Sequence, residues 1–411
     1  MNSRSGEIDH YLLVAVLVLT GFGLIMSFSA GGFMSGSSAK FSNDSLFFFK
    51  RELIRVALAL VFFLVALNIN YRKLRSLIVP FFGVMLVVLL LTLVLAQSVR
   101  GSRSWIMGLQ PVEIARIALV LFLADFIDKK GEDFKKIKIG YIPGVAAVVL
   151  LAVIIGLQPD FGSAMALSIL GYTMLFLGGA NLLAWVGGLG LASVAFAAAA
   201  LTQKHVLGRL TGFWWGLTRP EELSALIESS SGHIKNTLVQ THQSLLGIGS
   251  GGFFGVGLGQ SRQKFLFVSE AHTDFIFSII GEEGGLLFAG IIMLVFLVIL
   301  WRGIKLSLQL SDRFESLTVL GLSCGIFIYA VINISVALGI FPITGLPLPF
   351  LSYGGSALLA NAVSVGLILN ISKHRGEKSG QTFIRKNNGV SDSRWRDGRS
   401  SLSWSGRSRR R

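Results

Sequence analysis

The sequence predicts an all-α polytopic membrane protein, with about ten transmembrane helices and a long extracytoplasmic loop between helices 7 and 8. Three observations carry this. Of the 411 residues, 52% are hydrophobic and only 14% are charged, whereas a soluble chain carries about a quarter charged residues. The charges cluster between long apolar runs. Those runs recur at close to the ~20 residues that cross about 30 Å of hydrocarbon.

The predicted spans are 11–28, 53–69, 77–96, 112–127, 141–157, 163–178, 183–201, 275–301, 317–340 and 354–371. The first resembles a secretory signal, since Ser27-Phe28-Ser29-Ala30 offers small residues for cleavage. It is long for such a signal, however, and Glu7 and Asp9 weaken the basic leader. It is read as an uncleaved first helix. The fourth and sixth spans are short for a crossing.

Orientation follows from the basic residues of the short loops. Arg72, Lys73 and Arg75 follow the second span, Lys129, Lys130, Lys135, Lys136 and Lys138 the fourth, and Arg302, Lys305 and Arg313 the eighth. All three loops fall on one side with both termini, which places the termini in the cytoplasm. The opposite loops hold fewer: Arg100 and Arg103 after the third span, and Lys40, Lys50 and Arg51 after the first. Residues 1–372 are thus one transmembrane domain, including the large extracytoplasmic loop 202–274. The tail 373–411, rich in Ser, Gly and Arg, buries no core and is expected to be disordered.

The formal charge of +15 follows from cytoplasmic loops and this tail, and does not point to nucleic acid. Cys324 is the only cysteine, so no intramolecular disulfide forms. There is no Walker A, HExxH or GxSxG pattern, which argues against an ATP-driven pump within this chain.

In or beside a span an acid is costly, and is a functional candidate by default. Glu113, Asp125, Asp160, Asp274, Glu282 and Glu283 qualify. Asp274 opens the eighth span, where it reads either as a helix cap or first-turn acid, or as a carboxylate at the mouth of the bundle that accepts a proton or holds a divalent metal. Glu282 and Glu283 follow roughly 12–13 Å further along a straight helix; they suit a buried hydrogen-bonding role or a polar cavity. The run 247–264 is dense in Gly, so its main chain can turn sharply and bring N–H groups to an anion, with Arg262 and Lys264 supplying charge. A re-entrant or tightly packed loop explains the glycines equally well. Pro111 suits a helix start, and Glu113 and Arg116 stand one turn apart and can neutralise each other. Asp160 sits in a tight turn. The segment 341–350, with three prolines, cannot be regular helix, so protein or a cavity must cover it.

At 110–116, 158–162, 240–285 and 342–356 the chain resembles the SEDS family (shape, elongation, division and sporulation), its division branch more than its elongation branch. The resemblance spans about residues 10–372. It implies a peptidoglycan glycosyltransferase that polymerises lipid II, with Asp274 at the acidic position the family needs for activity. It also implies a class B penicillin-binding protein as partner, other division proteins, and the bacterial cytoplasmic membrane at the septum. By this resemblance Arg103, Arg116, Arg262 and Lys264 are candidate pyrophosphate contacts. Trp105, Glu113, Asp160, Gln243, Ser244, His272 and Ser352 are further substrate-binding candidates, and Glu282 and Glu283 are structural polar residues. Asp274 is expected to act as general base, directly or through Mg²⁺ or Mn²⁺. The family usually has Lys where Arg116 stands and Ser where Val112 stands. A lipid II flippase and a non-catalytic division scaffold are the competing readings.

Overall fold

The computed structural model describes residues 8–36, 46–96, 104–106, 108–263 and 273–373. Arg103, Lys264, His272 and the tail beyond Lys373 lie outside them. The described chain forms helices α1 (His10–Gly36), α2 (Phe47–Asn68), α3 (Tyr71–Leu74), α4 (Ile78–Leu95), α5 (Pro111–Lys130), α6 (Ile142–Leu157), α7 (Phe161–Leu177), α8 (Leu182–Thr202), α9 (Lys204–Thr218), α10 (Leu223–Ser229), α11 (Gly232–Gly251), α12 (Ile276–Ser307), α13 (Arg313–Ala337) and α14 (Gly355–Lys373). Among the described residues the β structure is a single bridge between Ile106 and Leu109.

Each of the ten predicted apolar stretches falls on a helix. Among the described residues six helices are long and apolar enough to cross a membrane. Two predicted boundaries move. Lys50 and Arg51, read as loop residues, stand in the first two turns of α2. The fourth span, expected to be short, is a 20-residue helix. It starts at Pro111, whose fixed φ suits a first turn.

The interior is built on α5, α7, α13 and α14. Apolar side chains of α2, α4 and α8 face outward, among them Leu60, Val65, Val87, Val94, Leu183 and Leu191. In water such a surface aggregates; against lipid it costs nothing, and helix association then rests on close packing and hydrogen bonds. Small residues supply the approach: Gly171 lies against Val148, Gly144 against Leu175 and Gly303 against Ser323.

Charges tie the helices together at the end where α1 begins. Arg302 grips Asp9 with three hydrogen bonds of 2.6–3.1 Å. Arg75 binds Asp125 at 2.8 Å and also Asp128, and Lys129 pairs with Asp125 at 2.6 Å. Asn370 donates to the carbonyls of Ala66 and Ile69, closing the end of α2.

Three expectations are corrected. Residues 202–274 are not mainly loop, because α9, α10 and α11 occupy much of that stretch. Gly247 to Gly251, read as turn-formers, complete α11. The span 275–301 is not one rod: Gly285 sits at φ 68°, ψ −169° inside α12, a conformation that only Gly adopts readily. The segment 252–257 fills the break. Leu286 and Leu287 donate to the carbonyls of Gly252 and Phe253, and Val256 and Gly257 donate to those of Glu282 and Glu283, at 2.9–3.1 Å. Main-chain groups freed by the break are therefore paired, as an irregular segment away from water requires.

The break changes direction. Near its start α12 runs with α13, since Asp274 meets Asn333 and Ser278 is linked through Ser244 to Ala337. Beyond Gly285 it runs against α13, with Gly303 beside Ser323 and Ser307 bonded to Ser316. Glu282 and Glu283 thus lie at the bend, not a helix-length deeper than Asp274.

Candidate functional site at the ends of the helices

The site forms at the end of the bundle opposite the ion pairs. Asp274 lies in the turn that enters α12. The N-cap position belongs to Phe275, and no side chain caps there. The helix-cap reading of Asp274 is therefore not the one the structure adopts, and its carboxylate stands at a partly exposed position.

The main chain at Asp274 is anchored from two sides. Asn333, buried on α13, donates to the carbonyls of Asp274 at 2.9 Å and Leu346 at 2.7 Å. Ser352 donates to the Thr273 carbonyl at 2.6 Å and accepts the Leu348 N–H at 2.7 Å. The proline-rich segment is thereby sewn to the residues around Asp274. Gly345, at φ 76°, lies beside the carboxylate: a Cβ there would stand 3.6 Å from Asp274 Oδ2. The segment packs deep in the bundle. Its Phe350 carbonyl rests on Gly23, midway along α1, and its Thr344 carbonyl rests on Gly162 at the start of α7. Leu346, Leu348 and Leu351 are buried, so protein covers the irregular backbone, as expected.

A second group lies behind this surface. Glu113 and Arg116 are both buried and stand 3.3 Å apart. Arg116 donates to Asn361 at 2.8 Å and its guanidinium lies 4.2 Å from the centre of the Tyr329 ring. The pair neutralises itself inside the protein, as its spacing suggested. Among the described residues, neither Nη1 of the Arg116 guanidinium nor the Tyr329 hydroxyl has a hydrogen-bond partner. Asp160 is the N-cap of α7: it accepts the Ser163 N–H at 3.1 Å and the Gln110 amide at 3.1 Å. Burial pushes its carboxyl above the usual range, and the Ser163 bonds, Gln110 and the Arg209 charge pull it back.

The glycine-dense run does cradle an anion, and the anion is the protein's own. Glu282 accepts the Ser261 hydroxyl, the Arg262 N–H at 2.8 Å and the Gln263 N–H at 3.3 Å. Glu283 accepts the Ser29 hydroxyl at 2.6 and 2.8 Å and the Ser261 N–H at 3.4 Å. Both acids are buried and join the loop to α12 and α1. A carboxylate holding several N–H and O–H donors is stable where a bare one is not.

The remaining candidates are spread around these groups. Trp105 is 36% exposed, and the Arg262 side chain is exposed. Gln243 is half-buried on α11. Ser244 is fully buried, bonded to Ser278 and to the Ala337 carbonyl at 2.6 Å. Among the described residues no three His, Cys, Asp or Glu form a metal cluster. Sequence reasoning missed Asn333, Asn361, Tyr329 and Arg209. The signal was present: Asn333 and Asn361 are lone amides inside apolar spans, and polar residues there bond across helices.

The "cell cycle protein" family model of FtsW, RodA and SpoVE matches residues 10–377. A probable peptidoglycan glycosyltransferase FtsW of Trichlorobacter lovleyi is 36% identical over 378 residues, covering 90% of this chain and 94% of that one. Stage V sporulation protein E of Bacillus subtilis is 35% identical over 389 residues, covering 91% and 99%. Among solved structures, a chain of a peptidoglycan synthase complex that coordinates polymerization and crosslinking superposes with a TM-score of 0.66 at 24% identity, covering 90% of this chain and 98% of that one. The rod shape determining protein RodA of Thermus thermophilus superposes with a TM-score of 0.63 at 25% identity, covering 90% and 97%. Matched across its helices in sequence and in fold, the chain belongs to the FtsW/RodA/SpoVE family.

Proposed function

We propose that this chain is a peptidoglycan glycosyltransferase that polymerises lipid II during cell division, with Asp274 at its centre. It crosses the bacterial cytoplasmic membrane about ten times, with both termini in the cytoplasm and Asp274 on the outer side. The observation that carries the reading is the clamp on Asp274. Asn333 and Ser352 hold the chain on either side of it, which sets a partly exposed carboxylate at the helix ends. The names of the relatives support the same activity.

The reaction follows from this placement. The 4-hydroxyl of the acceptor GlcNAc loses its proton to Asp274 as its oxygen attacks the anomeric carbon of the donor MurNAc. The bond to the undecaprenyl pyrophosphate breaks, and attack opposite that leaving group converts an α-linked donor into a β-linked glycan. Arg103, Arg262 and Lys264 are proposed to meet the departing pyrophosphate, and Arg116 to balance Glu113. Asp274 also suits Mg²⁺ or Mn²⁺, since Mg²⁺ sites commonly use one or two carboxylates together with substrate phosphates. The ion would be held by Asp274 and the pyrophosphate, and would supply charge for the leaving group. A class B penicillin-binding protein cross-links the product, and other division proteins place the pair at the septum.

A flippase needs polar groups through the full depth of the bundle. On α5 the buried side chains between Arg116 and Asp125 are apolar, whereas α13 and α14 carry buried Thr318, Ser323, Ser364 and Asn370, so the choice of polymerisation over transport rests on the names of the relatives. The test is lipid II polymerisation in liposomes by wild type and Asp274→Ala, each with its penicillin-binding protein whose own chemistry is blocked. Glycan strands from wild type alone are expected. Full activity in the variant overturns the assignment.

A further inference from the structure

Helix α9 has two faces that call for different neighbours. Gly208, Gly212 and Gly216 recur every four residues, and a Cβ at each would meet His233, Thr237 or Leu238 of α11. This face is fitted to protein. On another side Leu207, Trp214 and Leu217 are 40%, 61% and 57% exposed, with Leu210 half-buried between them. Spacings of three, four and three residues put these four on one stripe. In water the stripe would be a liability.

The location of α9 says what covers the stripe. Only Gln203 separates it from α8, an apolar helix with an outward Leu and Val surface. Consecutive Cα atoms are 3.8 Å apart, so α9 must begin within a few ångströms of the end of α8. One and a half turns on, Arg209 donates to the Ile343 carbonyl at 3.2 Å. The adjacent Thr344 lies on Gly162, at the start of α7. Its neighbour α11 reaches the end of α13, where Gly339 lies against Thr241 and Leu245. The helix is thus held at the level of the helix ends, where a bilayer passes from hydrocarbon to headgroup. An aromatic with an apolar body and a polar N–H, within an apolar stripe, suits that layer.

We propose that α9 is an interfacial helix whose Leu207–Leu210–Trp214–Leu217 stripe lies in the outer leaflet of the bilayer, with its glycine face locked to α11. Through Arg209 it fixes the start of the proline-rich segment, so the lipid surface is one of the references that position the candidate site.

The test is the depth of α9 in phosphatidylglycerol–phosphatidylethanolamine liposomes. Full-length protein with Cys324→Ala receives one cysteine, as Leu207→Cys, Trp214→Cys or Leu217→Cys, and is labelled with an environment-sensitive fluorophore. Ser224→Cys, on α10, serves as a water-facing control. The expected result is strong quenching of the first three by lipids spin-labelled near the headgroup, with little quenching by aqueous iodide, and the reverse for the control. Iodide quenching of the stripe without lipid quenching overturns the proposal. So does protection from both, which would mean that protein covers the stripe. Using three positions separates the result from a single misfolded variant. The measurement needs no substrate, so it stands or falls apart from the polymerase assignment.

Discussion

At the scale of single residues, the candidate site is positioned by main-chain anchors. Ser352 uses one hydroxyl to join Leu348 to Thr273. Ser352→Ala removes the partner of the buried Leu348 N–H and one bond to the Thr273 carbonyl, at about 1–3 kcal/mol. The expected outcome is a loss of lipid II polymerisation larger than the loss of membrane-inserted protein, with Asp274 intact; equal losses would mean that Ser352 only supports folding. Asp274→Asn keeps shape and the Asn333 bond but removes the base, and is expected to be inactive at wild-type yield. The sequence made the acids legible because a charge near lipid is conspicuous. It did not disclose that Glu282 is held by the N–H groups of Arg262 and Gln263, since a glycine-dense run has the same composition whether its anion is a ligand or its own carboxylate. Asn333 escaped notice because a single neutral amide barely disturbs hydropathy.

At the scale of elements, periodicity and length worked where they had one dominant solvent. The predicted apolar stretches fall on helices, and among the described residues six of these are long and apolar enough to cross a membrane. They failed at α9 and α11, where glycines and polar residues mix with Leu and Trp and no long apolar run results. They also failed at Gly285, because hydropathy continues smoothly across a break whose hydrogen bonds come from residues 252–257. Two glycines of α12 test that break. Gly285→Ala drives a Cβ into the Gly255 nitrogen in a strained region that by itself costs about 1–3 kcal/mol, so a marked fall in thermal stability in detergent is expected. Gly290→Ala has nothing within 4 Å and should be neutral or raise stability by up to about 1 kcal/mol. Equal melting of the two variants would refute the break as described.

At the scale of the whole molecule, the two ends do different work. One end is locked by charge. Arg302→Ala leaves Asp9 buried without its main partner, a loss of about 3 kcal/mol or more. The double variant Asp9→Asn, Arg302→Met removes both charges and is expected to recover much of that stability, measured by the same melts. The opposite end gathers segments from α9, α12 and the proline-rich stretch, none a simple crossing. Sequence patterns captured the first end through its basic loops and the second only as a region rich in irregular residues. Which carbonyl meets which amide there is decided by contacts between residues far apart in the chain.

The bend at Gly285 also settles a question of length. Thirty-two residues in one helix would extend about 48 Å, well beyond about 30 Å of hydrocarbon. A rod of that length must tilt steeply or thicken the lipid around it. Bent at Gly285, it leaves roughly twenty residues for the crossing, from Leu286 to Ser307, and runs the surplus turns beside the last turns of α13. Hydrophobic mismatch is relieved by the same glycine that turns the helix, and the surplus becomes the platform on which Asp274 stands.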